Sequence, residues 1–163
     1  MILQFKKQNY NFYSPAKTIK THPSFGSETF REPFGFKAID KGILYKGGFL
    51  QYPEELEYLR HEAGIKSILS LIPPEFPQIT KEIFMINNSN EKYKLQKPII
   101  FSYFPCCERD GELYIDEENF IKNINKLPKP IYMHCHGGIA LSENMGAVYK
   151  KLLREGKINL TEQ

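Results

Sequence analysis

The residues best equipped for chemistry lie in one stretch: Pro130-Ile131-Tyr132-Met133-His134-Cys135-His136-Gly137-Gly138-Ile139-Ala140-Leu141-Ser142. The apolar run over 130–134 predicts a strand that delivers Cys135 into a glycine-bearing turn. A helix is expected beyond it, from about Ser142 to Glu155, because Met145, Val148, Tyr149, Leu152 and Leu153 recur at helical spacing. Backbone N–H groups of the turn and of the helix start, His136, Gly137, Gly138, Ile139, Ala140 and Leu141, can converge on an anion. The same field favours the thiolate of Cys135, the nucleophilic form of cysteine. Ser142 can give the sulfur a hydrogen bond, and His134 is placed to orient the loop. These residue types describe a nucleophile seated in an anion cradle.

Such a cradle needs elements to hold it. Upstream, Gly42–Lys46 reads as a short strand that Gly47-Gly48 breaks. Pro53 opens a helix with Leu56, Leu59 and Ala63 on one face, and Gly64 is placed to end it. A strand follows over 65–72. Residues 75–96 hold a helix around Ile79, Ile83, Phe84 and Ile86, then a polar loop through Asn87-Asn88-Ser89-Asn90. The next strand is expected over 98–104, and Asp116 caps a helix carrying Phe120, Ile121, Ile124 and Leu127. Strands alternating with helices predict an α/β fold, a mainly parallel central sheet flanked by helices. In such a sheet, ligands bind at the carboxyl ends of the strands, where Cys135 falls.

The stretch around Cys135 resembles the phosphate-binding loop of cysteine-based protein tyrosine and dual-specificity phosphatases. That family's pattern is His-Cys, two residues, Gly, two residues, Arg, then Ser or Thr. His134, Cys135, Gly138 and Ser142 fall on it. Leu44-Tyr45-Lys46-Gly47-Gly48, a helix, and then Gly64 through Leu71 are similar to the opening of the compact dual-specificity domain. The resemblance spans residues 41–156. It implies a dual-specificity phosphatase-like fold and hydrolysis of phosphate monoesters through a cysteinyl-phosphate. The substrate would be a phosphorylated protein or a phospholipid or inositol phosphate. At the family's arginine position stands Leu141. That arginine would make two parallel hydrogen bonds to the phosphoryl oxygens, and leucine makes none. Turnover is therefore expected to be impaired. The alternative is a pseudophosphatase that binds phosphorylated partners without turning them over. A rhodanese-like sulfur carrier also presents a cysteine before a helix, but the loop length, with Gly138 and Ser142 in place, argues against it.

The resemblance also implies a general acid on the loop after the preceding strand, here Phe104 through Glu112. Asp110 is the first choice and Glu108 the second, while Asp110-Gly111 is also a plain turn former. Arg109 lies in the same loop, where it could stand in for the missing arginine or simply be solvated. Cys106 and Cys107 are candidates for a protective disulfide with Cys135, or small packing residues. His134, Cys135 and His136 lack zinc spacing, so no metal and no cofactor is expected.

Composition sets the frame. The chain of 163 residues suits one domain, and its 41% apolar and 25% charged content is that of a soluble globular protein. A net charge of +3 is too small to argue for nucleic acid. No apolar run is long enough to span a membrane, no secretory leader is seen, and three cysteines suit a reducing compartment, so a cytoplasmic protein is expected. Oligomeric state is left open. Residues 1–40 read as an arm, extended with aromatic anchors (Phe12, Tyr13, Phe25, Phe30, Phe34, Phe36) or partly disordered, before the domain of 41–163. The final residues, 156–163, read as the start of a further helix of the kind with which the family usually continues.

Overall fold

A computed structural model describes residues 2–4, 20–21, 29–94, 98–110 and 112–160. Its centre is a five-stranded sheet built from β4 (Lys37–Asp40), β5 (Leu44–Gly48), β6 (Ser67–Ser70), β7 (Ile100–Tyr103) and β10 (Ile131–Cys135), in the order β4-β5-β10-β6-β7. The strands β5, β10, β6 and β7 run parallel, and only β4 is antiparallel. The carboxyl ends of four strands therefore share one edge, with Cys135 opposite Gly48 in the register. Helices cover both faces, as the alternation predicts. Alternate residues of β10 sort between the layers. Ile131, Met133 and Cys135 pack with α3 (Glu117–Lys126) and α4 (Ala140–Arg154). Tyr132 packs with α1 (Pro53–His61) and α2 (Pro77–Lys92). This is the period of two expected of a strand buried on both sides.

Several boundaries differ from the sequence reading. Gly47-Gly48 does not break β5 but completes it, because the Cys135 loop lies directly on these two glycines. Asn87-Asn88-Ser89-Asn90 is not a loop but the last turns of α2. There the polar side chains are put to use: Arg60 Nη2 donates to Ser89 Oγ and Asn90 Oδ1 at 3.0 Å each. Asn90 also exchanges both its amide groups with the backbone of Ile99, at 2.9 Å each way. Most of the stretch from Phe104 through Glu112, read as a loop, belongs to a hairpin of β8 (Cys106–Arg109) and β9 (Glu112–Ile115), to which β1 (Ile2–Gln4) adds a third antiparallel strand. The final residues do not continue as a helix over 156–160. Gly156 takes a positive φ of 68°, and Lys157 donates its N–H to Leu152 O at 3.0 Å, which closes α4. Ile158 then turns back into the core. Residues 161–163 lie outside the described residues.

The segment before residue 41 meets the body at several points. Lys37–Asp40 is the edge strand itself. Short strands β2 (Lys20–Thr21) and β3 (Thr29–Phe30) pair with each other. Phe30 is buried, and Phe36 stacks on Tyr45 and Tyr132. Phe34 is exposed, and Phe12, Tyr13 and Phe25 lie outside the described residues. No helix among the described residues is long and apolar enough to cross a membrane.

Candidate active site

The loop after β10 is shaped by close backbone contacts. Gly137 bridges Gly48, and Gly138 adopts a φ of +66°. A methyl group on Gly138 would stand 2.4 Å from both Gly47 C and Gly48 N, so the loop rests on the end of β5 with no room for a side chain. Gly47 is required in turn by Tyr132, whose hydroxyl would meet a Gly47 Cβ at 2.1 Å. That hydroxyl donates to Gly48 O at 2.7 Å. A turn from Pro33 to Phe36 closes the other side of the bed: Gly48 N–H donates to Phe34 O at 2.9 Å.

Cys135 is buried at the end of β10, and its Sγ lies 3.5 Å from Ser142 Oγ. When the thiol ionises, the hydroxyl becomes the donor and can stabilise the thiolate. The helix α4 starts at Ala140, and Ile139 supplies no side-chain cap. The first N–H groups of α4 are thus left for an external acceptor, beside Cys135. His136 is exposed, with its ring 5.1 Å from that of Phe49 at the mouth of the loop.

Two side-chain pairs stand behind the loop. Lys46 Nζ donates to Gly138 O at 3.1 Å and pairs with Glu143 in the first turn of α4. The hydrogen bond from Lys46 holds the Glu143 carboxyl below its usual range. On the other side of β10, His134 Nε2 lies 3.1 Å from Glu82 Oε2, and both side chains are fully buried. Glu82 Oε1 accepts the N–H of Leu50 at 3.0 Å. Sequence reading missed Glu82. The available signal was its position on the apolar stripe of α2, between Ile79 and Ile86, where a carboxylate requires a partner.

The structure brings together Cys135, Ser142, Gly137 and Gly138, with His134 behind them. Leu141 is half-buried and packs against the core. Asp110 is exposed at the tip of the β8–β9 hairpin, with φ 52°. Glu108 and Arg109 pair along β8 opposite Leu113 and Glu112. All three cysteines are free, Cys107 exposed and Cys106 half-buried. Burial, then the charges of Cys107 and Cys135, push the Cys106 thiol up to about 12. Among the described residues no cluster of His, Cys, Asp and Glu is placed to hold a metal ion.

No protein-family model matches the sequence, and neither does any curated protein. Solved structures do share the fold. The core catalytic domain of the PP-IP phosphatase Siw14 from S. cerevisiae, in complex with citrate, superposes with a TM-score of 0.58 at 21% identity. The match covers 77% of this chain and 70% of that one. A second structure, of the Siw14 catalytic core, gives a TM-score of 0.57 at 18% identity with the same coverage. At these identities the likeness is one of fold.

Proposed function

We propose that this chain is a cysteine-dependent phosphatase-like protein that takes phosphate monoesters into the Cys135 loop and turns them over slowly. One observation carries the reading: a buried cysteine ends a central parallel strand, hydrogen-bonded to Ser142, inside a glycine loop that opens into an uncapped helix start. In the reaction the Cys135 thiolate forms the S–P bond as the ester P–O bond breaks. Loop amides hold the phosphoryl oxygens. The leaving oxygen takes a proton from Asp110, the donor this reading assigns. Water then hydrolyses the cysteinyl-phosphate with Asp110 as base, releasing inorganic phosphate, while the Ser142 hydroxyl stabilises the departing thiolate. The substrate class is a phosphorylated protein or a phospholipid or inositol phosphate. Because one of the similar structures is that of a PP-IP phosphatase, PP-IP compounds are among the first to try.

The slowness follows from Leu141. Losing one oxyanion donor costs about 10²–10³ in rate, and losing an arginine from phosphoryl transfer costs about 10³–10⁵. A second reading, binding without turnover, is favoured by the same residue, because Leu141 packs into the core and leaves the cradle to the backbone alone. Hydrolysis of a small aryl phosphate, measured for wild type and Cys135→Ser, separates the two. Slow turnover lost in the variant supports the enzyme. Oxyanion binding with no turnover in either supports the binder, and neither binding nor turnover refutes both.

A further inference from the structure

We propose that Glu82 is a positioning residue for the nucleophile: through His134 it holds positive charge behind Cys135, and through Leu50 it ties α2 to the chain leaving β5. This rests on the reading of Cys135 as the reactive thiol.

Glu82 and His134 are both 0% exposed, with Oε2 and Nε2 3.1 Å apart. The contact is off hydrogen-bond alignment, so its content is electrostatic. His134 Nδ1 has no hydrogen-bond partner among the described residues, so the ring is held by the contact with Glu82 and by stacking on Tyr132. The second carboxylate oxygen is occupied by the N–H of Leu50. A buried carboxylate left unpaired is strongly unfavourable, and the His134 ring is the group within ion-pair distance of Glu82 Oε2. His134 directly precedes Cys135, and positive charge beside a cysteine favours its thiolate.

The other groups around the site come from each packed element. From β5, Lys46 is matched by Glu143 of α4. From β10, Tyr132 stays protonated, raised by burial and by the charges of Glu82, Glu55 and Cys135. From β8, Cys106 also stays protonated near neutral pH. His136 lies in the loop itself and is exposed. Among the described residues, Glu82 is the carboxylate in ion-pair contact with His134.

The test uses the full chain and iodoacetamide. Alkylation of Cys135 is followed against pH by mass analysis of its peptide, for wild type, Glu82→Gln and Glu82→Asp, with urea unfolding alongside. Gln keeps an oxygen for Leu50 N–H and removes only the charge. The half-reaction pH for Cys135 should rise by about one unit in Glu82→Gln, so alkylation at pH 6 slows about tenfold while the rates converge at high pH. Glu82→Asp should recover part of the shift. A Glu82→Gln profile that coincides with wild type or moves down, even with lowered stability, overturns the proposal and leaves Glu82 a brace. Should Glu82→Gln fail to fold, His134→Gln must show the same rise, and an unchanged profile there overturns it equally. The readout needs no turnover. A shifted profile in a protein that hydrolyses nothing would count against the enzyme reading and not against this one.

Discussion

Gly138→Ala adds one methyl group at the point where the loop meets β5, and the structure allows its cost to be built up. The first contribution is backbone conformation. An L-residue held in the left-handed region costs about 1–2 kcal/mol. The second is contact. The new Cβ would lie 2.4 Å from Gly47 C and Gly48 N, both backbone atoms of a strand hydrogen-bonded on each side. Neither can swing away as a side chain can, so the loop must lift by about 1 Å to reach ordinary van der Waals separation. Lifting it strains the 3.1 Å bond from Lys46 Nζ to Gly138 O, a charged hydrogen bond of the kind that contributes about 1.5–3 kcal/mol. Gly138→Ala should therefore destabilise by about 3–5 kcal/mol. Gly42 supplies the control: its φ is +81° and nothing lies within 4 Å of its Cβ position. Gly42→Ala should lose only the conformational contribution, about 1–2 kcal/mol. Urea unfolding of both variants reads the difference, and protection of Cys135 from alkylation by tungstate should fall in Gly138→Ala alone. Equal losses of stability in the two variants would refute the close approach of loop and strand.

The remaining predictions concern the hairpin and its cysteines. Asp110→Asn keeps a residue suited to a positive-φ hairpin turn and removes the acid. In a Leu141→Arg background it should lower kcat about 10²–10⁴-fold if Asp110 is the proton donor, and an unchanged kcat would assign Asp110 to the turn. Iodoacetamide at pH 8 should modify exposed Cys107 well before Cys106, whose thiol is pushed up to about 12. The folded value lies above the ordinary thiol value of 9.0, so the contribution is full below pH 9 and is lost as pH rises towards 12. The urea midpoint should thus fall more steeply with pH above 9 in wild type than in Cys106→Ala, and parallel slopes would refute the shift. After mild peroxide, mass mapping should find Cys135 bridged to Cys106, the cysteine whose thiol feels the Cys135 charge, and the absence of any such bridge would end the redox reading.

Much of the site was legible because it is local. Strand, loop and helix over 130–154 form one continuous segment, and the helical spacing of Met145, Val148, Tyr149 and Leu152 recurs in the buried residues of α4. The parts that were not legible depend on partners far along the chain. Gly47-Gly48 looked like a break because the Gly138 backbone and the Tyr132 hydroxyl that require it lie some 85–90 residues away. Glu82 meets His134 across 52 positions, and no local pattern pairs them. Asn87 through Asn90 have low helix propensity, which tertiary bonds to Arg60 and Ile99 override. The β8–β9 hairpin was within reach. Two residues, Asp110-Gly111, separate the paired runs, and Leu113 and Ile115 alternate with Glu112 and Tyr114. That is a hairpin signature.

The central claim is that the Cys135 loop is a preformed phosphate cradle whose chemistry is limited by the leucine at 141. The most direct test is the turnover of a small aryl phosphate by wild type, Leu141→Arg and Leu141→Arg/Cys135→Ser. The claim predicts that Leu141→Arg raises kcat/KM by about 10³-fold or more, and that Cys135→Ser abolishes the gain. A folded Leu141→Arg protein with no gain, or a gain that survives loss of Cys135, would contradict it.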